Sequence, residues 1–472
     1  MNRKTTAILC TAAGLLTLAA LASQAPKAPP SHPQPPAVVP PPAPACAGAA
    51  GLGPKQNLDF GVGTFAGALS APRGSAGELY LALDLQAARR AATKRPPLDI
   101  AIVIDRSGSM AGEGKLSRAR EAAAGIVERL GPTDRIAVVQ YDDQAQVIAP
   151  ETAASAAGKR VALEAIASLA PGGGTNLGAG LALGRDQLRP AADDSGGRVR
   201  RLILLSDGIA NVGVTDPSAL ATMAEGAAAE GVHVTTIGLG LDYNEDLMEA
   251  IAERGRGQYY YVRDAAGLDA VFAGELRALE ATVATGAQLE LQAPCGGIEV
   301  PEVFGYATRR EGGAVIVPLA DLFGGDTRKV VARLSAPAGG PAGRFLRATL
   351  QFTDARDDSR HAVAIELAVD HAPVDPEVMG KVEQVRSAQA IRAAAEAYQR
   401  GDRAAALGLI RSRRGEAARH AAEYRIPAQV MAPALDPLAG YEGGMAATPS
   451  GSAGGRALVK GAKSEAWNLG KK

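Results

Sequence analysis

Apolar and polar positions change period twice along this chain, and the changes divide it. From Glu78 to Leu85, Leu79, Leu81, Leu83 and Leu85 alternate with Tyr80, Ala82 and Asp84, the period of a strand with one buried face. After Pro96-Pro97 the stretch Leu98 to Ile104 is almost continuously apolar, as expected of a strand covered by helices on both faces. Lys115 to Leu130 sets Leu116, Ala119, Ala123, Ile126, Val127 and Leu130 at helical spacing and stops at Gly131-Pro132. Further strands are expected at 135–141, 146–149, 201–205, 232–239 and 258–262, and further helices at 161–169, 177–188, 217–230, 244–254 and 268–282. Strands interleaved with helices predict an α/β fold with a doubly wound, mostly parallel sheet and right-handed crossovers.

From about residue 283 the period returns to two. Leu346, Ala348, Leu350 and Phe352 alternate with polar neighbours, as do Val363, Ile365, Leu367 and Val369. With Leu289/Leu291, Val315/Val317 and the run Val330 to Leu334, this predicts an antiparallel β-sandwich. A strand at 78–85 is not stable by itself. It is therefore expected to join the later sheet, which makes the α/β domain an insertion within the sandwich. Residues 375–422 predict a C-terminal helical hairpin: Val378, Val382, Val385, Ile391, Ala395 and Tyr398 form a stripe, and Gly401-Asp402 breaks and recaps. The Gly-, Ala- and Pro-rich end reads as disordered. The expected organisation is a signal peptide (1–25), a Pro-rich linker (26–55), N-terminal strands of the sandwich (56–96), the α/β domain (97–282), the β-sandwich (283–372), the hairpin (373–425) and a disordered tail (426–472).

Composition narrows the picture. Apolar residues make up 47% of the 472 but aromatics only 4%, so the cores must be built from Ala, Val, Leu and Ile. Fifty basic residues balance fifty acidic ones with no long single-sign run, and nothing asks for a nucleic-acid partner. Arg3 and Lys4 precede an apolar run from Ala7 to Ala22, followed by small residues at Ser23 and Ala25, the layout of an export signal cleaved near 22–25. The run is shorter than the about 20 residues of a spanning helix, so cleavage is expected, with membrane attachment only if the segment stays uncleaved. An exported protein of the periplasm or cell surface follows. Pro26 to Pro44 is an extended polyproline spacer. Cys46 and Cys295 remain beyond the signal; an oxidising compartment permits a bond between them, and the sequence leaves open whether they pair.

The residues that carry chemistry stand where buried strands end. Asp105, Ser107 and Ser109, in Ile104-Asp-Arg-Ser-Gly-Ser-Met110, follow the first buried strand directly. In open α/β sheets ligands bind outside the carboxyl ends of the strands. Pro171-Gly-Gly-Gly-Thr175-Asn176 presents one hydroxyl ahead of a helix, and Leu204-Leu205-Ser206-Asp207-Gly208 places a carboxylate at the end of another strand. Carboxylate and hydroxyl oxygens without His or Cys suit Mg²⁺, with Ca²⁺ or Mn²⁺ also fitting, rather than zinc.

This set, Asp105-x-Ser107-x-Ser109 with Thr175 and Asp207, resembles the metal-ion-dependent adhesion site of von Willebrand factor type A (vWA) domains at all five ligand positions. The likeness covers about 185 residues, and the wider layout is similar to exported bacterial vWA proteins of the YfbK-like kind. The resemblance implies direct coordination by Ser107 and Ser109, coordination by Thr175 when a ligand is bound, and water-bridged charges from Asp105 and Asp207. An ion so held keeps much of its charge and a place for an Asp or Glu of a partner protein. The implied function is non-enzymatic, cation-dependent binding, adhesion or scaffolding at the cell envelope; the alternative is a structural envelope protein whose cation only stabilises the fold.

Plainer readings exist for each residue. Asp105 and Ser107 could cap a helix, and Asp207-Gly208 could be an ordinary turn. Asp142 and Asp143 read as a solvated turn. Gly61-Val-Gly63-Thr-Phe-Ala66 fits a dinucleotide fingerprint, but no buried strand precedes it. The five histidines are scattered, His233 being read as a packed or edge residue, and no nucleophile motif accompanies the acidic residues.

Overall fold

The computed structural model describes residues 52–57, 62–72, 77–88, 95–189, 198–336, 343–355, 357, 359–369 and 372–471. The expected signal segment, nearly all of the Pro-rich linker and Cys46 lie outside the described residues, and with Cys46 the question of its pairing with Cys295.

Three strands come first: β1 (Lys55–Asn57), β2 (Val62–Ser70) and β3 (Glu78–Ala87). The α/β domain follows as β4 (Leu98–Asp105), α1 (Lys115–Arg129), β5 (Arg135–Tyr141), β6 (Ala145–Ala153), α2 (Ala156–Ala167), α3 (Leu177–Gln187) and β7 (Val199–Ser206). It continues through α4 (Pro217–Ala229), β8 (Val232–Leu239), α5 (Glu245–Arg254), β9 (Arg256–Val262) and α6 (Leu268–Glu280). Strands β10 (Thr282–Gln292), β11 (Glu299–Val303), β12 (Arg309–Glu311) and β13 (Ala314–Phe323) come next. After β14 (Thr327–Ser335), β15 (Phe345–Asp354) and β16 (Arg360–Ala368) the chain is helical, with α7 (Pro376–Gln399), α8 (Arg403–Glu423), α9 (Ala428–Ala447) and α10 (Ala453–Lys471).

The α/β domain is built on a six-stranded sheet in the order β6-β5-β4-β7-β8-β9, parallel except where β6 pairs antiparallel with β5. Alternate side chains of β4 explain its unbroken apolar run. Leu98, Ile100, Ile102 and Ile104 face a core shared with α1, α2 and α6. Ala101 and Val103 face the opposite core, shared with α3, α4 and α5. The strand expected at 146–149 is longer than its pattern, because β6 is an edge whose outer residues alternate weakly.

The sandwich packs β1-β2-β3-β14-β11 against β12-β13-β10-β15-β16. In the first sheet β3 pairs antiparallel with β14, Leu83 opposite Val330 and Leu81 opposite Ala332. The chain therefore leaves the sandwich at β3 in the first sheet, makes the whole α/β domain, and re-enters the sandwich through β10 in the second sheet. Leu79, Leu81, Leu83 and Leu85 fill the space between the sheets. The other face of β3 differs from its period-two reading: Tyr80 and Ala82 are also buried, because α7 lays Val378, Val382 and Val385 over them.

The C-terminal end corrects the sequence expectation. Where disorder is expected beyond 426, the described residues form two more helices, and the hairpin of α7 and α8 is extended by α9 and α10. α9 contains Pro433 and Pro437, and packs Met431, Ala434, Leu438 and Met445 inward. α10 inserts Trp467 beside Tyr259 of β9, the rings meeting edge to face at 6.4 Å. No helix among the described residues is long and apolar enough to cross a membrane.

Candidate metal centre

Three loops at the carboxyl ends of β4 and β7 and ahead of α3 form the site. Asp105 is the last residue of β4 and is fully buried. Its Oδ1 accepts from the Ser107 amide at 2.8 Å and its Oδ2 from the Ser206 hydroxyl at 2.8 Å. Burial pushes the Asp105 carboxyl up to about 6 against the pull of those bonds, with Asp207 adding to the rise. Tyr141, at the end of β5, is buried behind it and donates to Leu205 O at 3.0 Å, and burial together with the Asp105 charge keeps its phenol strongly protonated.

Ser107 stands ahead of a short 3₁₀ turn over Gly108–Ala111 but makes no side-chain capping bond, so the plain capping reading of this hydroxyl does not hold. Its Oγ lies 3.1 Å from Ser109 Oγ, which in turn donates to Asp207 Oδ1 at 2.7 Å. Asp207 is fully buried, and its Oδ2 accepts from Lys115 Nζ at 2.8 Å. Thr175 is 3% exposed at the foot of the glycine loop.

Gly208 shows where the three hydroxyls point. A Cβ placed there would meet Thr175 Oγ1 at 3.3 Å, Ser109 Oγ at 3.5 Å and Ser107 Oγ at 4.0 Å. The residues singled out from sequence, spread over about a hundred positions, thus gather at one point. The space between these oxygens is a cradle that glycine leaves open. An all-oxygen donor set of this kind fits a hard divalent cation.

The loops are held by a frame the sequence reading missed. Asp143 Oδ1 accepts from Gly174 N at 2.8 Å, Asp142 O accepts from Asn176 N at 2.7 Å, and Asp142 forms an ion pair with Arg106. These two acids stand in the solvent-facing turn between β5 and β6, as their sequence suggests, and from there they also fasten the glycine loop to the end of β5. Gly173 adopts φ +55°, and a Cβ there would sit 2.6 Å from Asp143 Oδ2, so this position requires glycine. Thr175 is fixed on both sides of its peptide, its N–H donating to Asn211 Oδ1 at 2.8 Å and its carbonyl accepting from Asn211 N at 3.1 Å. Asn176 caps α3 by accepting from Ala179 N. Lys115 was also missed as a site residue. Its signal was a cation in the first turn of a helix that buries most of one face.

His233 is a packed residue of β8. Its Nδ1 lies 2.8 Å from Asp321 Oδ2, which also receives Arg201 Nη2 at 2.8 Å, far from the hydroxyl cluster in chain and strand position. Of the Gly61 to Ala66 stretch, the described residues Val62 to Ala66 lie in β2 of the sandwich and open no helix.

Comparison with known proteins agrees with this layout. Residues 99–273 match the model of the von Willebrand factor type A domain. The chain is 30% identical over 231 residues to the uncharacterized protein YfbK of Escherichia coli K12, covering 49% of this chain and 40% of that protein. It is 29% identical over 252 residues to an uncharacterized protein of Synechocystis, covering 51% of this chain and 58% of that one. The chain thus spans about half the length of these curated relatives. A solved structure, von Willebrand factor type A from Catenulispora acidiphila, superposes with a TM-score of 0.61 at 21% identity, over 77% of this chain and 89% of that one, a likeness of fold.

Proposed function

We propose, from the premise that this chain contains a von Willebrand factor type A domain, that it is a non-enzymatic, cation-dependent protein-binding component of the cell envelope. The ion is Mg²⁺, with Ca²⁺ or Mn²⁺ as substitutes, and it accepts an Asp or Glu of a partner protein. The observation that carries this reading is the convergence of the Ser107, Ser109 and Thr175 hydroxyls on the space beside Gly208. Ser107 and Ser109 would hold the ion directly and Thr175 would join them once a partner's acid is bound, with Asp105 and Asp207 as charges behind them.

Both carboxylates are already engaged, Asp105 by the Ser107 amide and the Ser206 hydroxyl, and Asp207 by Ser109 and the Lys115 ammonium. Neutral hydroxyls in contact and a lysine-paired acid behind leave a bound ion under-neutralised. When bound, the ion supplies a positive centre to which an incoming carboxylate is drawn, the more strongly as the contact is buried. Ile209 and Val214, 59% and 42% exposed in the loop after Asp207, supply an apolar rim for side chains flanking the partner's acid. No histidine or cysteine stands among the site residues to act as base or nucleophile, which supports binding over catalysis.

The purely structural alternative is less favoured by one observation. Gly108 N donates to Gly173 O at 3.1 Å, Gly172 N to Arg106 O at 2.8 Å, and Ser109 to Asp207 at 2.7 Å, so the three loops are joined to one another by direct hydrogen bonds. The test is capture of envelope proteins by the intact chain and by Thr175→Ala, in Mg²⁺ and in chelator. Capture in Mg²⁺ alone, lost in the variant while its melting curve stays in place, is the expected result. Unchanged capture in chelator overturns the proposal. A large Mg²⁺-induced rise in melting temperature with no metal-dependent capture favours the structural role.

A further inference from the structure

At the other end of the parallel sheet, where β9 begins, the α/β domain meets the sandwich and α10. A cleft of about 520 Å³ opens there, lined by Arg254, Arg256, Arg309 and Pro318 and by the carboxylates of Glu225 and Glu253. It adjoins an inner recess of about 30 Å³ lined by Arg256, Arg328 and Lys471.

The cations of this junction differ in one respect. Arg254 pairs with Glu225 at 3.6 Å, Arg309 with Glu311 at 2.5 Å, and Lys471 with Glu253 while it stacks on Trp467. Arg328 Nη2 reaches Asp326 Oδ2 at 3.1 Å, yet its Nε, on a side chain only 6% exposed, has no hydrogen-bond partner among the described residues. The side chain of Arg256 makes no hydrogen bond or ion pair with any described residue. The acids that act on it from a distance, Asp321 and Glu225, are held by other cations. Burial, with the Arg309 charge alongside, pulls the Arg256 guanidinium below its ordinary value. A half-buried arginine left without an anion beside an orphaned buried N–H is a costly arrangement in the free protein.

The backbone adds to that cost. Arg256 adopts φ +53° and Ala320, across the recess on β13, φ +63°. Left-handed backbone at residues other than glycine costs energy and concentrates at ligand clamps. Arg256 stands between Gly255 and Gly257, and at Gly257 a Cβ would fall 2.1 Å from Val234 O. The close approach to β8 turns this residue outward into the cleft.

We propose that the cleft is an anion site for a small ligand bearing a carboxylate or phosphate group, with Arg256 as its principal partner and Arg328 Nε as a second donor. The planar guanidinium fork matches both oxyanions in two-point fashion. The cleft falls in the size range of small-molecule sites. It lies at the amino end of the sheet whose carboxyl end carries the hydroxyl cluster, so it stands independently of the cation reading.

The test is isothermal calorimetry on the full chain at constant ionic strength, with inorganic phosphate in one arm and citrate in the other. A saturable heat in either arm is expected, and the arm that responds names the source of the oxyanion. Arg256→Asn, whose side chain tolerates left-handed backbone, should fold normally and lose at least about tenfold in affinity. Arg256→Lys should recover only part of it. If Arg256→Asn fails to fold, Arg309→Gln substitutes: the loss of a neighbouring rim cation weakens binding. No heat in either arm for the intact chain, or equal affinity in the folded variants, overturns the proposal.

Discussion

The ammonium group of Lys115 lies 2.8 Å from Oδ2 of Asp207, both groups buried at the edge of the hydroxyl cluster. The lysine compensates a carboxylate that would otherwise be alone in the interior, and it does so from the side away from Ser109. A cation beside the serines therefore meets an acid whose charge is already shared.

Lys115→Met leaves Asp207 buried without that compensation, and breaking a buried pair costs about 3 kcal/mol. The variant is expected to melt several degrees lower in chelator and to regain part of the loss in saturating Mg²⁺. The intact chain should shift much less between the two conditions. Melting curves of both proteins in both buffers check this, and equal Mg²⁺ shifts would count against it.

Gly208→Ala tests the cradle without touching a ligand. Its backbone lies outside the left-handed region, so alanine fits the main chain, but the new methyl meets Thr175 Oγ1 at 3.3 Å and Ser109 Oγ at 3.5 Å. The melting temperature should hold to within a few degrees while Mg²⁺ affinity in calorimetry falls at least about tenfold, the loss of about 1.4 kcal/mol.

Lys329, on β14, gives a pH dependence of definite sign. Burial under α7, with Lys381 nearby and Asp84 opposing, pulls its ammonium down to about 8. The folded state thus binds this proton less tightly than the unfolded chain. Between pH 8 and the ordinary lysine value of 10.5 the unfolded chain keeps the proton and the folded one does not, so this group's contribution to stability rises with pH there. Its full span is on the order of 3 kcal/mol. Denaturant unfolding at pH 7.5 and 9.5 should show the gain in the intact chain and its absence in Lys329→Met.

Lys463 tests the C-terminal helices. Its ammonium is fully buried between Glu245 at 3.0 Å and Asp246 at 2.8 Å, on α5. Lys463→Met is expected to destabilise by about 3 kcal/mol, read by denaturant unfolding. In a disordered tail the same substitution would be neutral.

The parts of the fold visible in sequence are those where apolar periodicity decides the structure. β4 announces itself because both its faces are covered, and Asp105-x-Ser107-x-Ser109 stands out because hydroxyls and a carboxylate interrupt that run at its end. α10 was invisible for the opposite reason: on the face it turns to α5 it buries Lys460 and Lys463 against Glu245, so its inward stripe reads as polar. α9 carries Pro433, Pro437, Gly440, Gly443 and Gly444, all poor helix residues, and it is held by the packing of Met431, Ala434, Leu438 and Met445 on its neighbours. The frame of the site was equally hidden. Asp142 and Asp143 work through partners over thirty residues away, and no local spacing marks such a contact.

The insertion of the α/β domain into the sandwich has a mechanical corollary. Chain enters it just before Leu98 and leaves after Glu280, and the two ends meet where Arg95 Nε lies 3.9 Å from Glu280 Oε1. Both lie at the foot of the strands, whereas the hydroxyl cluster lies at their tips. A tug on whatever the tips hold would thus be borne by two parallel tethers, and would load the β-ladders along their length, where many bonds must yield at once rather than peel apart one by one.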